Sequence, residues 1–127
     1  MKRTIASVAG LAAVIALSLS ATDALAVSCP IKIGGLAPLS APGAVGGGEG
    51  MRAAMLIAES DINAAGGVLG CDIKVIIADT EGLPEKASAI MEKLITQDGV
   101  VAVGGGYHSS VGVASKDVAN NRKIPVV

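Results

Sequence analysis

The sequence predicts an α/β protein with an open parallel sheet and helices flanking it. Three observations predict this. Four short apolar runs rich in β-branched residues recur along the chain, at 31–37, 73–78, 100–103 and 124–127. The stretches between them carry apolar residues at helical spacing. Gly-rich or Asn/Asp-containing breaks separate the two kinds of segment. Strand and helix in alternation give parallel strands joined by right-handed crossovers.

The elements follow in order. Met1-Lys2-Arg3-Thr4 is a short positive end, and 5–19 is an apolar run interrupted only by Ser7, Gly10 and Ser18. Residues 20–26 are small or polar and end in Ala24-Leu25-Ala26, an A-x-A cleavage pattern. This is the layout of a secretory signal peptide over 1–26. Its apolar run is shorter than the ~20 residues a spanning helix needs. The exported chain is then 27–127, one α/β unit at most.

After the first strand, Met51, Met55, Ala58, Ile62 and Ala65 share one helical face. Gly66-Gly67 ends that helix, since glycine takes the left-handed cap conformation without steric cost. The second helix has Pro84 in its first turn, where the missing N–H is harmless. Ala87, Met91, Leu94 and Ile95 form its buried stripe, and Asp98-Gly99 closes it. The third opens at Ser109-Ser110, shows Val111, Ala114, Val118 and Ala119, and stops at Asn120-Asn121. Residues 124–127 read as a fourth strand that ends with the chain. A sheet of this size with a bare edge and one face uncovered is expected to be part of a larger unit.

Without Lys2, Arg3 and Asp23 the chain keeps eight basic and ten acidic residues, a net charge of −2. That balance excludes nucleic acid and anionic membrane surfaces as electrostatic partners. Tyr107 is the only aromatic residue, and the 17 glycines cluster at 43–50 and 104–106. Stacking platforms for bases or sugars are therefore not expected.

In open parallel sheets a ligand sits beyond the C-terminal strand ends where strand order reverses. If the first strand lies between the second and third, in the order 2-1-3-4, that point falls between the first and third strands. Two Gly-rich loops leave it, 38–48 and 104–110. The second runs straight into a helix near Ser109, so free N–H groups and the positive helix end make a carboxylate or phosphate site. A serine hydroxyl there, from Ser109 or Ser110, can donate to a ligand oxygen. The plainer alternative is that one of these serines is an ordinary N-cap.

Other chemistry is thin. His108 is the only histidine. Adjacent side chains rarely face each other and no third group orients the pair, so a Ser109–His108 nucleophile and base is disfavoured. His108 is assigned to the rim of the site. No metal-ligand spacing occurs, and no cofactor is implied. Gly48-Glu49-Gly50-Met51-Arg52-Ala53 fits a dinucleotide fingerprint, but it starts about ten residues past the first strand. Asp79 also lies too far beyond it to be the ribose-binding acid, usually about 20 residues on.

Cys29 and Cys71 each precede a strand, at the opposite end of the sheet from these loops. Adjacent strands lie ~4.8 Å apart, within the Cα range of a disulfide, and an oxidising compartment permits one. The alternative is lipid attachment at Cys29, after Ala26-Val27-Ser28, with Leu25 one residue too early for the usual lipoprotein pattern.

The stretches IKIGGLAPLS (31–40), DINAAGGVLG (61–70) and VVAVGGGYHSS (100–110) resemble the branched-chain (leucine/isoleucine/valine) amino-acid-binding proteins of ABC transporters. The resemblance covers essentially the whole exported chain. It implies a partial first lobe of the type I periplasmic-binding-protein fold, in which two lobes close on a ligand. It also implies a periplasmic protein that binds an amino acid or related carboxylate, passes it to an inner-membrane ABC permease, and catalyses nothing. By resemblance, Ser109 binds the ligand's α-carboxylate and Tyr107 contacts the ligand. The family often has an aromatic residue where Gly46 stands, which leaves room for a different or larger side chain. Its remaining ligand contacts would lie past Val127. Two other functions stay in view: an extracellular ligand-sensing domain of a receptor, and an exported α/β enzyme. If the leader is read correctly, N-terminal sequencing of the exported protein begins at Val27; an intact Met1 would refute it.

Overall fold

A computed structural model describes residues 28–127, so the predicted signal peptide lies outside the described residues. Strand and helix alternate as β1 Ile31–Ala37, α1 Val45–Ala64, β2 Ile73–Asp79, α2 Pro84–Lys93, β3 Ala102–Gly105 and α3 Ser109–Arg122. A π-helical turn, Leu94–Asp98, extends α2 and is closed by Gly99 at φ 71°. The strands are parallel in the order β2-β1-β3. Ile31 lies opposite Ile73 and Ala37 opposite Asp79; Ile33 lies opposite Ala102 and Leu36 opposite Gly105.

The α/β class and the central place of β1 follow the sequence prediction. The fourth strand does not form as one. It is a single parallel bridge between Val103 and Val126, on the outer side of β3. Val103 N–H donates to the Pro125 carbonyl at 3.0 Å, and Val127 N–H to the Val103 carbonyl at 3.1 Å. Pro125 has no N–H to extend this ladder. The third strand also starts two residues later than predicted. Val100 N–H is taken by the Leu94 carbonyl at 3.1 Å, so Val100 finishes the π turn and the ladder begins only after it.

The main core lies between the sheet and the α2–α3 pair. Leu36, Ala87, Met91, Leu94, Val100, Val103, Val111 and Ala119 are all buried there. Full burial of a side chain such as Met91 or Leu94 stabilises by roughly 1.5–3 kcal/mol. The stripe predicted for α3 was incomplete, because Ser115 is also buried. Its hydroxyl is satisfied by the Val111 carbonyl at 2.9 Å.

Helix α1 covers the opposite face more sparsely. Met55 Sδ sits over Gly35, only 2.6 Å from where a Cβ would be. Ala58 and Ala65 of the predicted apolar face are exposed, and Ile62 is 37% exposed. The reason is that the C-terminal half of α1 is attached by polar bonds. Asn63 accepts from Ile73 N–H at 2.8 Å and donates to the Ile73 carbonyl at 2.9 Å. Glu59 accepts from Val75 N–H at 2.6 Å and pairs with Lys74 at 3.0 Å. Two side chains one helical turn apart thus occupy hydrogen-bonding groups on the outer edge of β2, which would otherwise invite a foreign strand. An apolar trough remains between α1 and the sheet, lined by Ile33, Met55, Ile62 and Val75 among others.

Between α1 and β2 the chain turns tightly. Val68 and Cys71 exchange backbone hydrogen bonds of 2.8 and 2.9 Å around Leu69 and Gly70. Both central residues have positive φ, 53° and 77°, as in a type I′ turn. Cys71 is disulfide-bonded to Cys29, with a Cα–Cα distance of 5.3 Å and a sequence separation of 42. Closing a loop of that length removes about 4 kcal/mol of unfolded-chain entropy. Leu69 is 81% exposed, so its left-handed backbone costs energy with little burial in return. Leu69→Asn is expected to raise the unfolding free energy by about 1 kcal/mol, because asparagine tolerates this conformation. A urea melt with an unchanged or lower midpoint would contradict this.

Candidate functional site

The C-terminal ends of β1 and β3 carry the two loops singled out in the sequence, and the structure redraws the first of them. Helix α1 begins at Val45, so Gly46-Gly47-Gly48 is helix and not loop. Steric access explains it. Gly48 is buried against Pro38, and a Cβ there would collide with the Pro38 carbonyl. The glycines let the helix begin close against the strand end. Its N-cap, Ala44, has no side chain that could cap the first-turn N–H groups.

In the second loop, His108 occupies the N-cap position of α3, with φ −87° and ψ 126°. Ser109 and Ser110 are therefore the first two helical residues, and neither is the N-cap. His108 makes no side-chain cap; its carbonyl accepts from Val111 N–H at 3.0 Å and Gly112 N–H at 3.3 Å. The N–H groups of Ser109 and Ser110 belong to the first turn and have no intrahelical acceptor. Both residues are exposed. Two N–H groups without intrahelical acceptors stand at the positive end of a 14-residue helix, an arrangement suited to a carboxylate or other small anion.

The rim is built by packing. Gly106 N–H donates to the Leu36 carbonyl at 2.8 Å, tying the end of β3 to the end of β1. The His108 ring is wedged beside Gly82 of the β2–α2 loop, and its buried Nδ1 has no hydrogen-bond partner. The Tyr107 and His108 rings meet edge-to-face, with centroids 5.3 Å apart and planes at 72°. Tyr107 is half-exposed and its ring edge rests on Gly47 of α1. The structure thus brings Tyr107, His108, Ser109 and Ser110 to one place. Cys29 and Cys71 stand apart, preceding the N-terminal ends of β1 and β2.

Asp79 is a contributor that sequence reasoning missed. It ends β2 and ties two loops together. Its carboxylate accepts from Leu39 N–H at 2.7 Å, Ser40 Oγ–H at 2.5 Å and Glu81 N–H at 2.8 Å. Gly43 packs on the Glu81 backbone beside it. Burial pushes the Asp79 carboxyl up, but the hydrogen bonds from Ser40, Glu81 and Leu39 outweigh this and hold it below the usual carboxylate range. The available signal was an acid at the last residue of a strand with serine in the neighbouring loop.

Among the described residues, no group of His, Cys, Asp and Glu could hold a metal ion, and no helix is long and apolar enough to cross a membrane. A broad concavity lined by Pro30, Lys32, Leu69 and Val101 lies at the other end of the sheet. The α3 N-terminus itself is an open wall.

Residues 30–127 match the periplasmic binding protein family. Two relatives are an amino acid binding protein of Pseudomonas aeruginosa, 38% identical over 88 residues, and Leu/Ile/Val-binding protein homolog 7 of Brucella abortus, 35% identical over 113. These alignments cover 69% and 87% of this chain, but 23% and 28% of the relatives. A branched-chain amino acid transporter substrate binding protein of Streptococcus pneumoniae, solved with isoleucine, superposes with a TM-score of 0.71 at 31% identity. That match covers 76% of this chain and 27% of the other. The chain thus spans about a quarter of the length of these proteins.

Asp79 gives a pH test. A carboxyl held below its unfolded value, about 3.9, contributes stability that is fully present above that value and is lost as pH falls through the folded one. Asp79→Asn is expected to cost roughly 1.5–3 kcal/mol at pH 7, with the gap to wild type narrowing below about pH 4. Urea midpoints measured from pH 7 to pH 2 check this; a constant gap would contradict it.

Proposed function

This chain belongs to the periplasmic binding protein family, and on that premise we propose that it captures an amino acid or related small carboxylate in the periplasm and delivers it to an ABC permease. In this proposal the 1–26 leader exports the chain and is removed, and 27–127 forms the N-terminal part of the first lobe. The ligand is held by closure of two lobes, with no bond made or broken. The named specificity of relatives, leucine, isoleucine and valine, makes branched-chain amino acids the first ligands to test.

One observation carries this reading. Ser109 stands in the first turn of α3, one residue past the N-cap position held by His108, and no side chain caps this helix end. The α-carboxylate would accept from Ser109 N–H and Oγ–H, with Ser110 as a further donor. His108 and Tyr107 form the rim. Glycine stands at 46 where the family often has an aromatic residue, which makes side chains other than the branched aliphatic ones a second class to test.

A hydrogen bond to a charged group contributes roughly 1.5–3 kcal/mol, about a 10- to 150-fold effect on affinity. Calorimetry of the full-length protein against an amino-acid panel should find a ligand. Ser109→Ala should weaken it by that factor at unchanged thermal stability. Absence of binding to any amino acid or small carboxylate, or a neutral Ser109→Ala, would overturn the assignment.

A further inference from the structure

The crevice where strand order reverses lies between β1 and β3, and one side chain crosses it. Tyr107 belongs to the loop after β3, while Gly47 belongs to the first turn of α1, after β1. The ring edge at Cε2, Cζ and Oη fills the space a Cβ on Gly47 would need, with Oη 2.8 Å from that point. No neighbouring glycine of α1 has this relation. Gly48 is required by the Pro38 carbonyl, whereas Gly46 and Gly50 would meet nothing within 4 Å. Glycine is a poor residue for a helix, and the contact with Tyr107 supplies a physical reason for one at 47.

The ring is held on two sides. Gly47 takes its edge, and the His108 ring, itself wedged beside Gly82, meets it at 72°. Yet Tyr107 remains 56% exposed, so much of this oriented aromatic surface is open next to the anion-binding end of α3. An apolar side chain on a ligand whose carboxylate sits at Ser109 would lie against it.

We infer that Gly47 is a specificity-determining position: it seats the Tyr107 ring across the crevice, and the seated ring forms the wall that meets the ligand's side chain. This rests on the amino-acid-binding assignment. Gly47 touches no ligand and acts only through Tyr107. A methyl group at 47 displaces the ring and changes the depth of the wall. The ligand class is therefore a small carboxylate with an apolar side chain, aliphatic or aromatic, whose size is read by the ring position.

The test is calorimetry of the full-length protein with alanine, leucine and phenylalanine, using wild type, Gly47→Ala, Tyr107→Ala, Tyr107→Phe and the Gly47→Ala/Tyr107→Ala double variant. Gly47→Ala and Tyr107→Ala should each change the leucine-to-alanine Kd ratio by roughly tenfold, the scale of one or two methylenes in an apolar pocket. Tyr107→Phe should keep the wild-type ratio, and Gly47→Ala should add nothing once the ring is gone. Tyr107 is the only Phe, Trp or Tyr in the 127-residue chain, so subtracting the near-UV circular dichroism of Tyr107→Ala, which keeps the Cys29–Cys71 disulfide signal, leaves the band that reads its seating. Gly47→Ala should alter this band while the far-UV spectrum is kept. An unchanged near-UV band, an unchanged Kd ratio with binding intact, or an equal effect of Gly47→Ala with and without the ring would each overturn the inference. If wild type binds none of the three, the inference falls, while the full panel of amino acids and small carboxylates decides the binding assignment separately.

Discussion

Everything in this fold is organised around a central strand with two glycines in succession. Strand β1 lies between β2 and β3, and successive residues point to opposite faces. A Cβ on Gly34 would sit 3.0 Å from Val103 and 3.2 Å from Leu94; one on Gly35 would sit 2.6 Å from Met55. Side chains from both helical layers therefore close directly onto the β1 backbone. Adding even a methyl to either face would force the neighbours outward, and interiors at crystal-like packing density accommodate such changes poorly.

The close approach has consequences at the strand ends. After the loop 38–44, helix α1 starts close against the end of β1, because Gly48 can lie on the Pro38 carbonyl. Gly106 donates to Leu36, so the β3–α3 loop leaves from the same point. Two helix N-termini thus flank one crevice, each with uncapped N–H groups. Their positive ends add, which favours an anion between them. The loops around this point are tied by a few specific contacts: Asp79 holds the β1–α1 loop to the β2–α2 loop, and His108 packs the β3–α3 loop on Gly82. Groups committed to architecture and groups left over for a ligand can be told apart. Asp79 has hydrogen bonds on both oxygens, whereas Ser109 is exposed and has no capping task.

The two layers are held differently. The α2–α3 side is an apolar core of fully buried side chains. The α1 side relies on two methionines near the glycines and on Glu59 and Asn63 against the edge of β2. The stretch DINAAGGVLG (61–70), one of those that carry the family resemblance, thus has an architectural role in Asn63. It acts as a one-residue substitute for a neighbouring strand.

Much of this was legible in the residues alone. Alternating β-branched runs and helical periodicity determined the α/β class, the parallel sheet and the bounds of β1. The helix-start geometry also pointed to the Ser109–Ser110 segment, because a strand followed directly by a helix exposes N–H groups wherever it occurs. What the sequence could not determine were contacts between segments far apart in the chain. Periodicity reports which face of a helix is apolar, but not whether anything covers it, so the α1 stripe was read as more buried than it is. Composition marked Gly46-Gly47-Gly48 as loop, because the reason for glycine there lies elsewhere, in the Pro38 carbonyl and the Tyr107 ring. The role of Asp79 needed β1 and β2 in register to bring Leu39 and Ser40 within reach. Local chemistry set the elements and the candidate anion site; tertiary packing alone decided which of its groups are spoken for and which remain free to bind.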